Sequence, residues 1–260
     1  MVGIVGRFGD ISPELRMHLG LWFPALVFLG LLFRRKPDQD PGVVRLGRIV
    51  FLLVCLQATL GGLRVTQETA GSIDVALVLR VFHGCVAQVF LAILVMISAS
   101  LVWGETFGFR GGRTARWILL VCLFGQLVLG ATIRHKGAGL AIPTFPAVDA
   151  SGALIPMTHG FLIDLHFTHS RMLPMLIAGL TLWIWKSDQL LSGYHRGIRL
   201  LPPLLVLLQV ALGVSVIWSG RSAGLTTLHV LTGAMLLASV VLNLRLDSRL
   251  HRLRREGEGA

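Results

Sequence analysis

Gln209-Val-Ala-Leu-Gly213, a polar turn through Ser219 and Arg221, then Leu228-His229-Val-Leu-Thr-Gly-Ala234: this stretch carries the architecture of the chain in miniature. A histidine stands just inside the start of an apolar run. Gln57-Ala-Thr-Leu-Gly61 leads across a turn to His83, which also begins an apolar run. A third copy, Gln126-Leu-Val-Leu-Gly130, leads through a longer loop to His169. The remaining chain reads as support for histidines held at one depth of a membrane.

Composition agrees. The 260 residues are 54% hydrophobic and 14% charged, with a mean hydropathy of +0.74. A soluble domain would carry roughly 25% charged residues. A bilayer-spanning helix needs about 20 mainly apolar residues, and several runs meet or approach that length. A lipid-exposed backbone must satisfy its own hydrogen bonds, so the spans are helical. The net charge of +11 could suggest nucleic acid, but the basic residues sit at span ends, so nucleic acid is excluded as a partner and lipid is the expected one. Cys55, Cys85 and Cys122 all lie within apolar segments. An odd number of buried cysteines argues against a disulfide framework and suits small core hydrophobes. Residues 1–17 lack a signal-peptide pattern.

The sequence predicts an all-α polytopic membrane protein with seven transmembrane helices, over residues 16–33, 46–63, 75–102, 116–133, 161–185, 200–218 and 225–244. Lys and Arg set the orientation. Sixteen fall on the side of the 34–48, 104–116 and 186–199 loops and the C-terminal tail, and seven on the other. The C-terminus is therefore expected in the cytoplasm and the N-terminus outside. The expected membrane is a bacterial-type cytoplasmic membrane, crossed several times.

On this topology His18, His83, His169 and His229 begin spans one, three, five and seven, all in the outer half of the membrane. His18 and His169 are 151 residues apart and Gln57 and Gln209 are 152 apart. A fixed offset of this kind marks an internal duplication. The expected unit is a four-helix bundle, and the first copy has no counterpart of its opening helix before His18: either the true start lies upstream of residue 1 or the protein has shed that helix. The expected divisions are a first-half bundle at 1–103, a cytoplasmic linker at 104–116, a second-half bundle at 117–245 and a basic cytoplasmic tail at 246–260.

An ionisable side chain within a membrane span is costly and usually functional. A neutral imidazole is a good axial ligand for haem iron, and two from neighbouring helices at one depth can clamp a haem standing between them. Arg64, Arg134, Lys136 and Arg171 lie near the same surface and could meet the propionates. A single histidine at a helix start is more often a hydrated interfacial residue; four in register behind a repeated motif are harder to read that way. His166 competes with His169 as a ligand, since residues three apart share a helix face. His135 sits in the outer loop, and His159, His195 and His251 read as solvated. The repeated Gln and Gly have a packing role open to them as well: Gly lets helices approach and Gln bonds across them.

Three segments together resemble the haem A synthase family. They are Gln126-Leu-Val-Leu-Gly-Ala-Thr-Ile-Arg-His-Lys-Gly-Ala-Gly-Leu-Ala-Ile-Pro-Thr-Phe-Pro146 followed by Leu165-His-Phe-Thr-His169, Gln209-Val-Ala-Leu-Gly213 ahead of Leu228-His229, and Gln57-Ala-Thr-Leu-Gly-Gly62 with His83. The likeness covers residues 14–244. That family is an eight-helix duplicated bundle; this chain resembles it without the first helix. The resemblance implies that His169 and His229 hold a haem b, that His18 and His83 hold the substrate haem O, and that all four ligate iron. It also implies oxidation of a methyl group of haem O to formyl, giving haem A for respiratory oxidases. Supply by a haem O synthase and an unidentified electron donor follow from it. The family places a glutamate three residues before its first histidine. Glu14 lies four before His18, so it fits either that catalytic role or a helix-end role after Ser12-Pro13, where an acid favours the dipole. A different class of function keeps the four histidines without the oxidation: a non-catalytic b-type cytochrome or haem carrier. A permease built from parallel repeats would be colourless, and no span carries a charge at its centre to recommend it.

Overall fold

The computed structural model describes residues 41–69, 73–103, 114–188 and 194–258. Among them the secondary structure is helical, with α1 at Pro41–Thr69, α2 at Ile73–Trp103, α3 at Thr114–Lys136, α4 at Phe161–Phe167, α5 at Leu173–Ser187, α6 at Tyr194–Trp218 and α7 at Ala223–Glu258. A π-helical turn, Thr168–Met172, joins α4 to α5 without interrupting the helical path. Five helices are long and apolar enough to cross a membrane: α1, α2, α3, α6 and α7. Their outward faces are apolar, as lipid requires; Leu52, Val78, Val121 and Leu207 are all well exposed.

Each expected span from the second to the seventh has its helix. The fifth is the composite run Phe161–Ser187. The expected first span, 16–33, lies outside the described residues. The seventh departs most: instead of ending near residue 244 and giving way to a tail, α7 continues to Glu258. Ser248, Arg249, His251 and Arg252 extend that helix, because nothing between Leu244 and Gly257 breaks it.

The chain divides into two units, residues 1–86 and 87–260. The core of the second joins four helices: Leu119 and Leu123 of α3, Ile177 and Ile184 of α5, Val206 of α6, and Leu236, Leu237 and Val240 of α7. α7 packs most closely on α6, and α3 touches both α5 and α7. The turn between α6 and α7 is short because Gly220 and Arg221 take left-handed backbone conformations, at φ 61° and 69°. The Arg221 amide then donates to the Val216 carbonyl at 2.8 Å, closing the helix end in the usual way.

One end of this bundle is locked by buried charge. Arg116 of α3 binds both Asp188, just past α5, and Asp247 of α7. Arg199 of α6 binds Asp247 and the Asn243 side-chain oxygen at 3.0 Å. All four charged side chains are buried, so two cations and two anions neutralise each other where water is excluded. Removing one partner of such a set costs about 3–5 kcal/mol. Asn243 has a second task. Pro202 lacks the amide that would bond the Ile198 carbonyl, and the Asn243 amide donates to that carbonyl at 3.0 Å.

Candidate functional site

At the opposite end of the second unit, the rings of His169 and His229 come together. Their ring centroids are 6.4 Å apart and their planes cross at 77°. His229 stands in the second turn of α7. His169 lies in the π-helical turn, and such turns often mark functional positions. The turn has a local cause. Pro174 has no amide and its ring crowds the carbonyl four residues back; widening the helix before it relieves both faults. The Leu173 amide accordingly donates to the Thr168 carbonyl, five residues back.

Each histidine rests on a glycine of the preceding helix. A Cβ added to Gly130 would stand 2.9 Å from His169 Cε1, and one on Gly213 would stand 3.1 Å from His229 Cε1. The first unit repeats the arrangement: a Cβ on Gly61 would stand 3.5 Å from His83 Cε1. The Gln-x-x-Leu-Gly motif is thus a cradle. Gln and Gly are four apart, so they share a helix face. The glycine admits the imidazole edge. The backbone of the glutamine lies within electrostatic reach of the ring, although no Nδ1 of the three makes a hydrogen bond of good geometry. Packing was one of two roles open to these residues; the packing partner is the histidine itself.

The glutamine side chains differ between copies. Gln126 Nε2 donates to the His169 carbonyl at 2.7 Å. Gln209 Nε2 stands 3.3 Å from His229 Nε2 and against Gly233. Two imidazoles at the His169–His229 spacing can flank one metal. A metal–imidazole bond is about 2 Å, so two of them plus the two ring half-widths put the centroids about 6 Å apart. His166 is also buried, but the ring beside His229 is that of His169.

The other expected site residues fall as follows. Arg171 is buried and turned to the loop: Nη2 donates to the carbonyls of Thr144 at 2.6 Å and Ala147 at 3.2 Å, Nη1 to Ser170 Oγ at 2.5 Å, and the guanidinium lies over the Phe145 ring at 5.4 Å. It clamps the Pro-Thr-Phe-Pro segment to the histidine turn. Arg134 is exposed in the last turn of α3, near Lys136. Arg64, half-buried on α1, lies close enough for its charge to act on His83. Glu14 and His18 lie outside the described residues.

The loop shows what the motif reading missed. Gly137, at φ 71°, ends α3, with the Ala138 amide on the Ile133 carbonyl at 3.0 Å. Gly139 leaves room for the Arg221 side chain, whose Cδ and Nε would lie 3.1 and 3.2 Å from a Cβ there. The Gly-Ala-Gly spacing could have signalled a close approach; nothing in the sequence named Arg221 as the visitor. Further along, Asp149 accepts from the Ser151 hydroxyl at 2.5 Å and its amide at 2.9 Å. These hydrogen bonds hold its carboxyl below the usual carboxylate range.

A family model described as COX15-CtaA, cytochrome oxidase assembly protein, matches residues 17–241. Among curated proteins no match is found.

Proposed function

Because the chain belongs to the COX15-CtaA family of cytochrome oxidase assembly proteins, we propose that it is a membrane oxidase of the haem A synthase type. Its substrate is haem O, and a ring methyl of that haem becomes the formyl of haem A. The observation that carries the reading is the adjacent pair His169 and His229, with ring centroids 6.4 Å apart, each ring seated so close to a glycine that an added methyl group would press on it. Each Nδ1 is buried towards the backbone of its glutamine, which leaves the Nε2 side of each ring as the one that would meet a ligand. The residues present therefore fit a haem b: His169 and His229 as axial ligands, with Arg134 and Lys136 at the end of α3 as candidate partners for its propionates. A haem b held there would supply one-electron transfer.

His18 and His83 are proposed to hold the substrate, with Glu14 beside them. On that side His83 rests on Gly61 as the other rings rest on theirs, and Arg64 supplies a nearby positive charge for a propionate. With molecular oxygen as the oxidant, each insertion of one oxygen atom into a C–H bond would consume one O2, two electrons and two protons and release one water; the first would give an alcohol and the second a hydrate that loses water to the aldehyde. Electrons enter from a separate donor, and haem O arrives from the enzyme that makes it. The Lys and Arg asymmetry supports a cytoplasmic membrane with the C-terminus inside.

The test is co-expression with a haem O source, followed by chromatography of the extracted haems and a visible spectrum of the purified protein. Haem A is the expected product, with low-spin bands that vanish in His169→Ala and in His229→Ala and survive in His166→Ala. Haem O unchanged beside a reversible haem b would make the protein a b-type cytochrome instead.

A further inference from the structure

In a regular helix every carbonyl finds an amide four residues on, and in a π turn five residues on. The His169 carbonyl has neither. The amide four residues on belongs to Leu173 and is committed to Thr168. The position five residues on is Pro174, which has no amide. The carbonyl of the histidine is therefore left without a donor from its own helix. Gln126 reaches across from α3 and supplies one, at 2.7 Å. The donor must be the amide nitrogen, because a carbonyl can only accept. The oxygen of the same side chain is buried and unpartnered, so the contact with the His169 carbonyl is what orients the group.

We propose that Gln126 is a positioning residue: its amide replaces the proton that Pro174 lacks and thereby fixes the backbone of His169 against Gly130. The proposal rests on the reading of His169 as a haem ligand. Gly130 and Gln126 are one helical turn apart, so α3 holds both ends of the same residue, the ring by its edge and the backbone by its oxygen. Two comparisons within the molecule support the logic. Asn243 does the same for the Ile198 carbonyl that Pro202 orphans. In the sister copy of the motif α7 has no proline or π turn after His229, and there Gln209 turns to the imidazole instead of the backbone. The glutamine is common to the copies; its backbone task exists only where a proline follows the histidine at the fifth position.

The test is a four-way comparison of wild type, Gln126→Leu, Pro174→Ala and the double variant. Alanine at 174 restores an amide that can serve the His169 carbonyl, so the leucine change should matter only while the proline is present. In the proline background Q126L is expected to weaken haem retention roughly five- to tenfold, the worth of one hydrogen bond to a buried acceptor, and to shift the low-spin electron paramagnetic resonance signal of the haem that remains. In the P174A background the same change should cost less than about twofold. If Q126L alone cannot be recovered from membranes, recovery of the double variant is the expected rescue. An equal loss in both backgrounds, or loss of both proteins, overturns the proposal. Thermal melting of the four proteins reports on the clamp whether or not pigment is present. His229→Ala reports separately on the haem: pigment retained in that variant removes the ligand reading and leaves the melting comparison to decide the clamp.

Discussion

Gly130→Ala puts one methyl group against the ring of His169. The new carbon would sit 2.9 Å from Cε1, whereas carbon atoms rest at about 3.5–4.0 Å. The imidazole must retreat by roughly 0.6–1 Å, and the backbone behind it is held by Gln126. Overpacking of this kind costs about 1–3 kcal/mol. Against it stands the gain of alanine over glycine inside a helix, about 1 kcal/mol. The net expectation is a loss of up to about 2 kcal/mol and a displaced ligand. Two glycines calibrate the effect. Gly125, on the same helix, has nothing within 4 Å of an added Cβ, and Gly61 places His83 at an ordinary 3.5 Å. Alanine at either should stabilise the protein by about 0.5–1 kcal/mol, or roughly 2–4 °C per kcal/mol in a chain of this size. Gly213→Ala, at 3.1 Å, falls between. Thermal melting in detergent, with the visible spectrum recorded on the same samples, gives the ranking. If G130A melts with G125A and keeps an unaltered spectrum, the glycine is a spacer between helices and the cradle argument is wrong.

Arg116→Met removes the cation that bridges Asp188 and Asp247 and leaves Arg199 to serve both, its Nε 3.7 Å from Asp188; it should cost about 3–5 kcal/mol in melting experiments. Arg171→Ala frees the carbonyls of Thr144 and Ala147, and limited proteolysis should then cut within residues 137–160 far faster than in the wild type. Arg171→Lys should not restore protection, because an ammonium cannot reproduce the planar fork that reaches both carbonyls and Ser170; equal protection in the lysine variant would show that only the charge matters. Asn243→Leu should destabilise by about 1–3 kcal/mol, and Pro202→Ala should reduce that cost, as measured by paired melts.

Much of this was legible in the chain because a membrane simplifies the code. Lipid demands apolar helices, so α1, α2, α3, α6 and α7 announce themselves by hydropathy, and the histidines stand out as the expensive residues within them. The glutamine and glycine of each motif could be seen as a repeat but not as a cradle. Either helix packing or a histidine edge explains a glycine, and only the arrival of His169 and His229 at 6.4 Å separates the two. Pro174 was present in the sequence five residues after His169, yet hydropathy is blind to a missing amide, so the π turn and the bond from Gln126 went unread. The buried ionic set was hidden for another reason. Arg116, Asp188, Arg199 and Asp247 lie at span ends, where charges are normally wet and basic ones serve to set orientation. Four residues from four separate stretches had to meet before any of them could be called buried. Arg171 is a similar case: its charge near the outer surface was visible, but its hydrogen bonds to the carbonyls of Thr144 and Ala147 were not.

The two ends of the second unit solve opposite problems, and the division explains why neither could be swapped for the other. A ligand site between helices needs glycines, a proline-widened turn and buried polar atoms kept open, and each of these removes packing or a hydrogen bond. At that end Gln126 and the Arg171 clamp compensate for part of the loss. At the far end Arg116, Arg199, Asp188 and Asp247 join α3, α5, α6 and α7 in one neutral set. Charge pairing of this kind gives directional contacts that apolar packing in lipid does not. It fixes the relative height of the helices, and with it the level at which His169 and His229 meet. A shift of α7 by one residue, about 1.5 Å, would carry His229 off the axis it shares with His169 while leaving the apolar core nearly unchanged. The ionic set therefore contributes register as well as stability, and a shifted haem signal in Arg116→Met, about 20 Å along α3 from Gly130, would show the two ends to be coupled in that way.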